Sequence, residues 1–181
     1  MSCMTSGVIR QKAAHAAFGR RFTTNKWRDL VAEIIIGAAL GSQWHWRPED
    51  WVDWDFEHID GTMLAVRQYA ACSDWQQPGS KASRCTFDIA PSAGYWQAGC
   101  WIARRHRPAH IYVFAYHPRT DEAADHCDPT QWEFYVVPTA ILPPDDEIDL
   151  ARVRDLSSHF IFAEIDMFIE QFNKAIYRPY C

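Results

Sequence analysis

The chain has 181 residues, 48% hydrophobic and 23% charged, with a formal net charge of −5. That balance is ordinary for one soluble globular domain with a sizeable core, and the acidic excess argues against a general nucleic-acid coat protein. No apolar run approaches the ~20 residues of a membrane-spanning helix, so no membrane partner is expected.

Aromatic residues are abundant, with 9 Trp, 7 Tyr and 10 Phe. Rings of this size usually pin cores and loops; stacking on nucleic-acid bases is the sharper alternative and needs exposure. Six cysteines (Cys3, Cys72, Cys85, Cys100, Cys127 and Cys181) form no CxxC pair and follow no secretory signal. Reduced thiols and a cytoplasmic location are therefore expected. Arg10, Lys12, Arg20, Arg21, Lys26 and Arg28 precede the first acid, Asp29, and Arg104, Arg105 and Arg107 form a second basic group. An acidic pocket between basic segments suits an enzyme that holds a phosphate backbone, although solvated surface charge explains the pattern more simply.

In chain order, residues 1–22 read as a flexible N-terminal arm and residues 23–181 as a single domain. The arm is acid-free and contains Ala, Ser and Arg, a weak likeness to a transit peptide. Residues 23–40 predict the first helix, with Thr23 or Thr24 as N-cap and Gly41 just beyond its end. Leu30, Val31, Ile34, Ile35 and Ala38 make it apolar over most of its circumference, so burial is expected nearly all round. Glu33 is its only charge between Asp29 and Arg47. A carboxylate in such a helix is costly to bury unless paired or bound to metal, which makes Glu33 a candidate site residue; a solvated Glu at the rim is the plain alternative.

Residues 51–69, WVDWDFEHIDGTMLAVRQY, predict a β-hairpin turning at Asp60-Gly61. A two-residue loop would set Trp54 and Phe56 beside Arg67 and Ala65. A three-residue loop with Gly61 left-handed pairs Phe56 with Leu64 and Trp54 with Val66, a coherent apolar face. A one-residue slip flips every side chain, so the apolar match selects the second register. It places Asp53, Asp55 and Glu57 together on the opposite face, beside Arg67, Ala65 and Met63.

Residues 71–83 read as loop or broken helix, 84–89 as a short strand and 91–99 as turn-rich. Residues 111–116 (IYVFAY) and 132–137 (WEFYVV) predict buried strands, the second closed by Pro138. Residues 143–146 form a linker. Ile161, Ile165, Phe168, Ile169, Phe172 and Ile176 then recur at helical spacing after Ser157 or Ser158 as cap. The expected class is α/β or α+β on one mixed sheet. His106, His110, His117, His126 and Cys127 match no zinc-ligand spacing, no local signature marks a Cys-His nucleophile pair, and no glycine loop could cradle phosphate.

Several segments carry a resemblance: LVAE (30–33), WDFEH (54–58), DGTMLAVRQYAA (60–71), SRCTFDIAPSAGYW (83–96), HIYVFAYHPRTDE (110–122) and DPTQWEFYVVP (128–138). Together they resemble uncharacterised bacterial proteins related to the PD-(D/E)xK nuclease superfamily, over residues 30–138. The resemblance implies a restriction-endonuclease-like αβββαβ core, a mixed sheet flanked by helices, with a C-terminal helix added. It also implies a catalytic set: a helix Glu, an Asp opening the second strand, and an acid-x-Lys triplet on the third. Carried over, these are Glu33, Asp55 and the triplet Ala65-Val66-Arg67, where related sequences look like EVKQS.

In such a site Mg²⁺ held by carboxylates positions a water and stabilises charge on the phosphate. Ala65 removes one ligand, and Arg67 cannot release a proton although it can hold phosphate bidentately. Asp55, Glu33 and Glu57 are the candidate Mg²⁺ ligands, Glu57 or Glu33 replacing the missing acid. Gln68, Tyr69, Ser83, Arg84 and Gln131 are further candidates at the site, with structural hydrogen bonding as the plain reading of the last three. Two functions follow from the resemblance. One is a Mg²⁺-dependent phosphodiesterase acting on DNA; the other is a catalytically inactive nuclease-fold module that binds nucleic acid or a protein partner, a second copy of the chain included.

Overall fold

The computed structural model describes residues 5–19, 23, 27–48, 52–72, 84–97 and 100–176. Helices α1 (Ser6–Phe18) and α2 (Arg28–Ala39) precede the strands β1 (Trp44–Trp46), β2 (Phe56–His58) and β3 (Met63–Ala70). Strands β4 (Thr86–Asp88), β5 (Ser92–Gln97), β6 (Cys100–His106), β7 (Ile111–His117), β8 (Glu133–Pro138) and β9 (Glu147–Asp149) follow, then helices α3 (Leu150–Leu156) and α4 (Ile165–Ile176). The main sheet has the order β1-β2-β3-β7-β8, with β3 and β7 parallel and every other neighbour antiparallel. Two ribbons, β4-β9 and β5-β6, stand outside it. The fold is thus mixed α and β, on a mixed sheet flanked by helices.

Both faces of the sheet are covered, which is why 111–116 is a continuous apolar run and not an alternating one. Leu64, Val66, Val113 and Ala115 face α2 and α4, packing against Val31, Ile35, Ile36, Ile165 and Ile169. Ala65, Tyr112, Phe114, Tyr135 and Val137 face the other way, onto Phe87, Ile148, Leu150 and Val153.

The hairpin adopts the three-residue turn. Phe56 pairs with Leu64 and Glu57 with Met63. Gly61 has φ 91°, and Thr62 N donates to Asp60 Oδ1 at 2.9 Å, so aspartate and glycine each perform the turn role their chemistry favours. Trp54 departs from expectation. It packs on the Ala65 face while Phe56 packs on the Leu64 face, because the chain leaves strand geometry at Asp55.

Other boundaries differ for local reasons. Helix α2 begins at Arg28 behind Trp27, which makes no side-chain capping bond; of the two expected caps Thr23 is not helical and lies five residues before the helix, and Thr24 lies outside the described residues. Only Val31, Ala32, Ile35 and Ile36 of this helix are buried, and Ile34 is 54% exposed, so one face meets the sheet and not the whole circumference. At Gly37 an added Cβ would meet the Phe56 ring at 3.1 Å, so glycine here lets helix and strand approach closely. Residues 6–18 of the expected arm form α1, capped by Thr5 and without a buried residue. The turn-rich stretch 91–99 contains β5. Residues 157–161 stay extended because Phe160 exchanges backbone hydrogen bonds with Phe134, at 2.7 and 3.0 Å, so α4 starts later than Ser157 or Ser158 would have it.

The connection from β3 to the parallel β7 runs through β4, β5 and β6 and shows no α-helix among the described residues, where an αβββαβ core would place one. No helix among them is long and apolar enough to cross a membrane.

Candidate functional site

The departure at Asp55 creates the site. Asp55 N donates to Leu64 O at 2.9 Å, and Asp55 Oδ2 accepts from Val66 N at 2.6 Å. The carboxylate thus takes the bond that a neighbouring strand's carbonyl would have taken, and the sheet opens beside β3. A cavity of about 350 Å³ lies there, lined by Asp29, Glu33, Asp55, Val66, Arg67, Gln68 and Asp88.

Within it, Arg67 is held from several sides. Its Nη1 donates to Val66 O at 2.7 Å, its Nε donates to Asp88 O at 3.0 Å, and its guanidinium lies over the Tyr112 ring, 5.5 Å from the centroid. The same Nη1 is 3.6 Å from Asp55 Oδ2. Gln68 Nε2 donates to Asp29 Oδ1 at 2.7 Å, and Trp46 Nε1 donates to Glu33 Oε2 at 2.9 Å.

Burial pushes the Asp55 carboxyl above its ordinary range and nearby Asp29 adds to this, while the Val66 N–H and the Arg67 charge oppose it. Glu33 is raised for the same first reason; the Trp46 indole opposes, and the charges of Asp55 and Asp29 reinforce. Among the described residues, four carboxyl residues thus share a wall with a single arginine.

Of the residues expected at the site, Glu33, Asp55, Arg67 and Gln68 converge on this cavity. Glu57 does not line it: its Oε2 accepts from Arg47 Nε and Nη2 at 3.0 and 2.8 Å. Arg84 lines a separate groove with Glu147 and Arg152, where it is paired with Asp149. Tyr69 stacks on Tyr116, and Gln131 ties His117 to Asp125 and Ala123. Ser83 lies outside the described residues. Asp29 and Asp88 were not anticipated. Asp29 is four residues before Glu33, a spacing that sets both on one helix face; Asp88 arrives through β4 and carries no such signal.

The donor set does not fit a divalent ion. The Ala65 side chain has no ligand atom, Glu57 points its carboxylate at Arg47, and a guanidinium already neighbours Asp55. Among the described residues no three His, Cys, Asp or Glu side chains are grouped to hold a metal ion. The histidines near residue 120 pack differently: His117 and His126 are buried against each other and Trp132, and His110 Nδ1 accepts from Met63 N at 3.0 Å.

No protein-family model matches the chain, and neither a curated protein nor a solved structure matches it.

Proposed function

We propose that this chain is a restriction-endonuclease-like domain that binds a partner without cleaving it. The observation that carries the reading is the Asp55–Arg67 pair, 3.6 Å apart beside Ala65. Where an acid-x-Lys triplet would supply a metal ligand and an ammonium, this chain supplies a methyl group and a fixed guanidinium that cannot act as a base. Glu33 and Asp55 facing one cavity from a helix and a strand opening supports the nuclease-like half of the reading.

Four of the described arginines outside the cavity favour a protein partner over a phosphate backbone. Arg105 pairs with Asp146, Arg154 with Glu133 and Arg119 with Asp121, and Arg107 donates to the carbonyls of Ile89 and Asp145. The three ion-paired arginines draw phosphate more weakly than free ones would, and Arg107 has its donors committed to carbonyls.

A plasmid-nicking assay with Mg²⁺ and Mn²⁺ tests the proposal. Wild type and Asp55→Asn should leave supercoiled DNA intact, and calorimetry should detect no Mg²⁺ binding by either. Nicking by wild type that Asp55→Asn abolishes would establish a metal-dependent phosphodiesterase instead.

A further inference from the structure

A second cleft adjoins the acidic cavity and shares Glu33 with it. It has a volume of about 290 Å³, and its other walls are Ile34, Gly37, Leu40, Trp44, Trp46 and Phe56. Two of these are unusually open for their size: Ile34 is 54% exposed and Trp46 is 42% exposed. Exposed large apolar groups around a concavity mark a binding site more often than chance surface. Among the described residues the one charged group on the wall is the Glu33 carboxylate, which receives a single hydrogen bond from them, from Trp46.

We propose that this cleft binds a small organic ammonium ion, its charge on Glu33 and its alkyl groups against Trp44, Trp46, Phe56 and Leu40. Three arguments select that class. Glu33 lines both this cleft and the cavity that holds Asp29 and Asp55, and among the described residues it has no ion-pair partner, so a cation complements it. Sodium or magnesium would need a shell of oxygen ligands, which these apolar walls cannot provide. An alkylated ammonium needs none; its charge is diffuse, and indole faces attract it through their quadrupole. The site is independent of whether the neighbouring cavity cleaves DNA.

The test uses the full chain labelled with ¹⁵N. Tetramethylammonium chloride is titrated while the indole N–H signals of Trp44 and Trp46 are followed, against sodium chloride at equal ionic strength and against neopentyl alcohol, a neutral molecule of similar shape. Saturable shifts confined to those two indoles are expected, with the alcohol at least tenfold weaker. Glu33→Gln should weaken the ammonium at least tenfold and leave the alcohol unchanged, and Trp46→Ala should weaken both. Equal binding of ammonium and alcohol, shifts that never saturate, or undiminished ammonium binding by Glu33→Gln would each overturn the proposal.

Discussion

Mild acid should destabilise this protein by charging a histidine pair that the core holds neutral. His117 and His126 are both 0% exposed, with ring centroids 4.8 Å apart at 70°, and Trp132 packs edge-on against each at 5.1 and 5.9 Å. Burial lowers the affinity of both for a proton. For His126 burial acts first, the charges of His117 and Arg28 act in the same direction, and together they bring it from 6.5 down to about 4. Cys72 and Asp125 oppose this only in part.

An unfolded chain therefore takes up a proton near pH 6.5, and the folded one only near pH 4. Between those values the unfolded state binds more protons, so stability is full above the window and falls as pH drops through it. At ~1.36 kcal/mol per unit, the His126 gap amounts to about 3 kcal/mol when the window has been crossed, of which about 2 is already lost at pH 5. Against a domain stability of ~5–15 kcal/mol, that is a large fraction. Urea unfolding at pH 7.5 and pH 5.0 measures it directly. The wild-type midpoint should fall, and His126→Phe, which keeps an aromatic ring in the slot, should show a much flatter dependence. Full acid sensitivity retained in His126→Phe would refute the reasoning. Glu33 and Asp55 have the opposite sign: their raised folded values favour the protonated folded state, so they gain stability as pH falls, and the histidine comparison must be made within one background.

Two further substitutions examine the hairpin and its opening. Gly61→Ala places a side chain at φ 91° and should cost about 1–2 kcal/mol in a urea melt, whereas Gly61→Asn should cost less because asparagine tolerates the left-handed region. Asp55→Ala leaves the Val66 N–H without its 2.6 Å acceptor and should cost about 1–3 kcal/mol, while Asp55→Asn retains an acceptor oxygen and should cost distinctly less. Equal losses from the two Asp55 variants would mean that the carboxylate does not hold the strand.

Parts of this structure could be read in advance because a short-range rule decided them. The Asp60-Gly61 turn and the Phe56–Leu64 match together allow one register, and β3 adopts it. Glu33 is the only carboxylate between Asp29 and Arg47, and it lines the cavity beside β3. The misses have another origin. Period-two alternation places Asp55 and Glu57 on one face, yet Asp55 turns into the sheet to take a backbone N–H and Glu57 turns out to Arg47. No alternation pattern encodes a side chain substituting for a strand. Trp46 escaped for a related reason: β1 is only three residues long, too short for any periodicity, and the contact with Glu33 exists only because β1 pairs with β2.

The position of Arg67 shows how one side chain sets the electrostatics of a site. A carboxylate that is buried, bonded to one N–H and flanked by Asp29 would tend to take up a proton, or to recruit a cation from solution. Arg67 supplies that cation from the next strand, and its contacts to two carbonyls and to Tyr112 hold it in place. A tethered charge needs no ion from solution, and it cannot be exchanged for one that activates water. Glu33 sits farther out, where Arg67 opposes its shift only as the smallest of the contributions. Among the described residues the two halves of the site thus differ in one respect: Asp55 has an arginine 3.6 Å away, and Glu33 has no ion-pair partner.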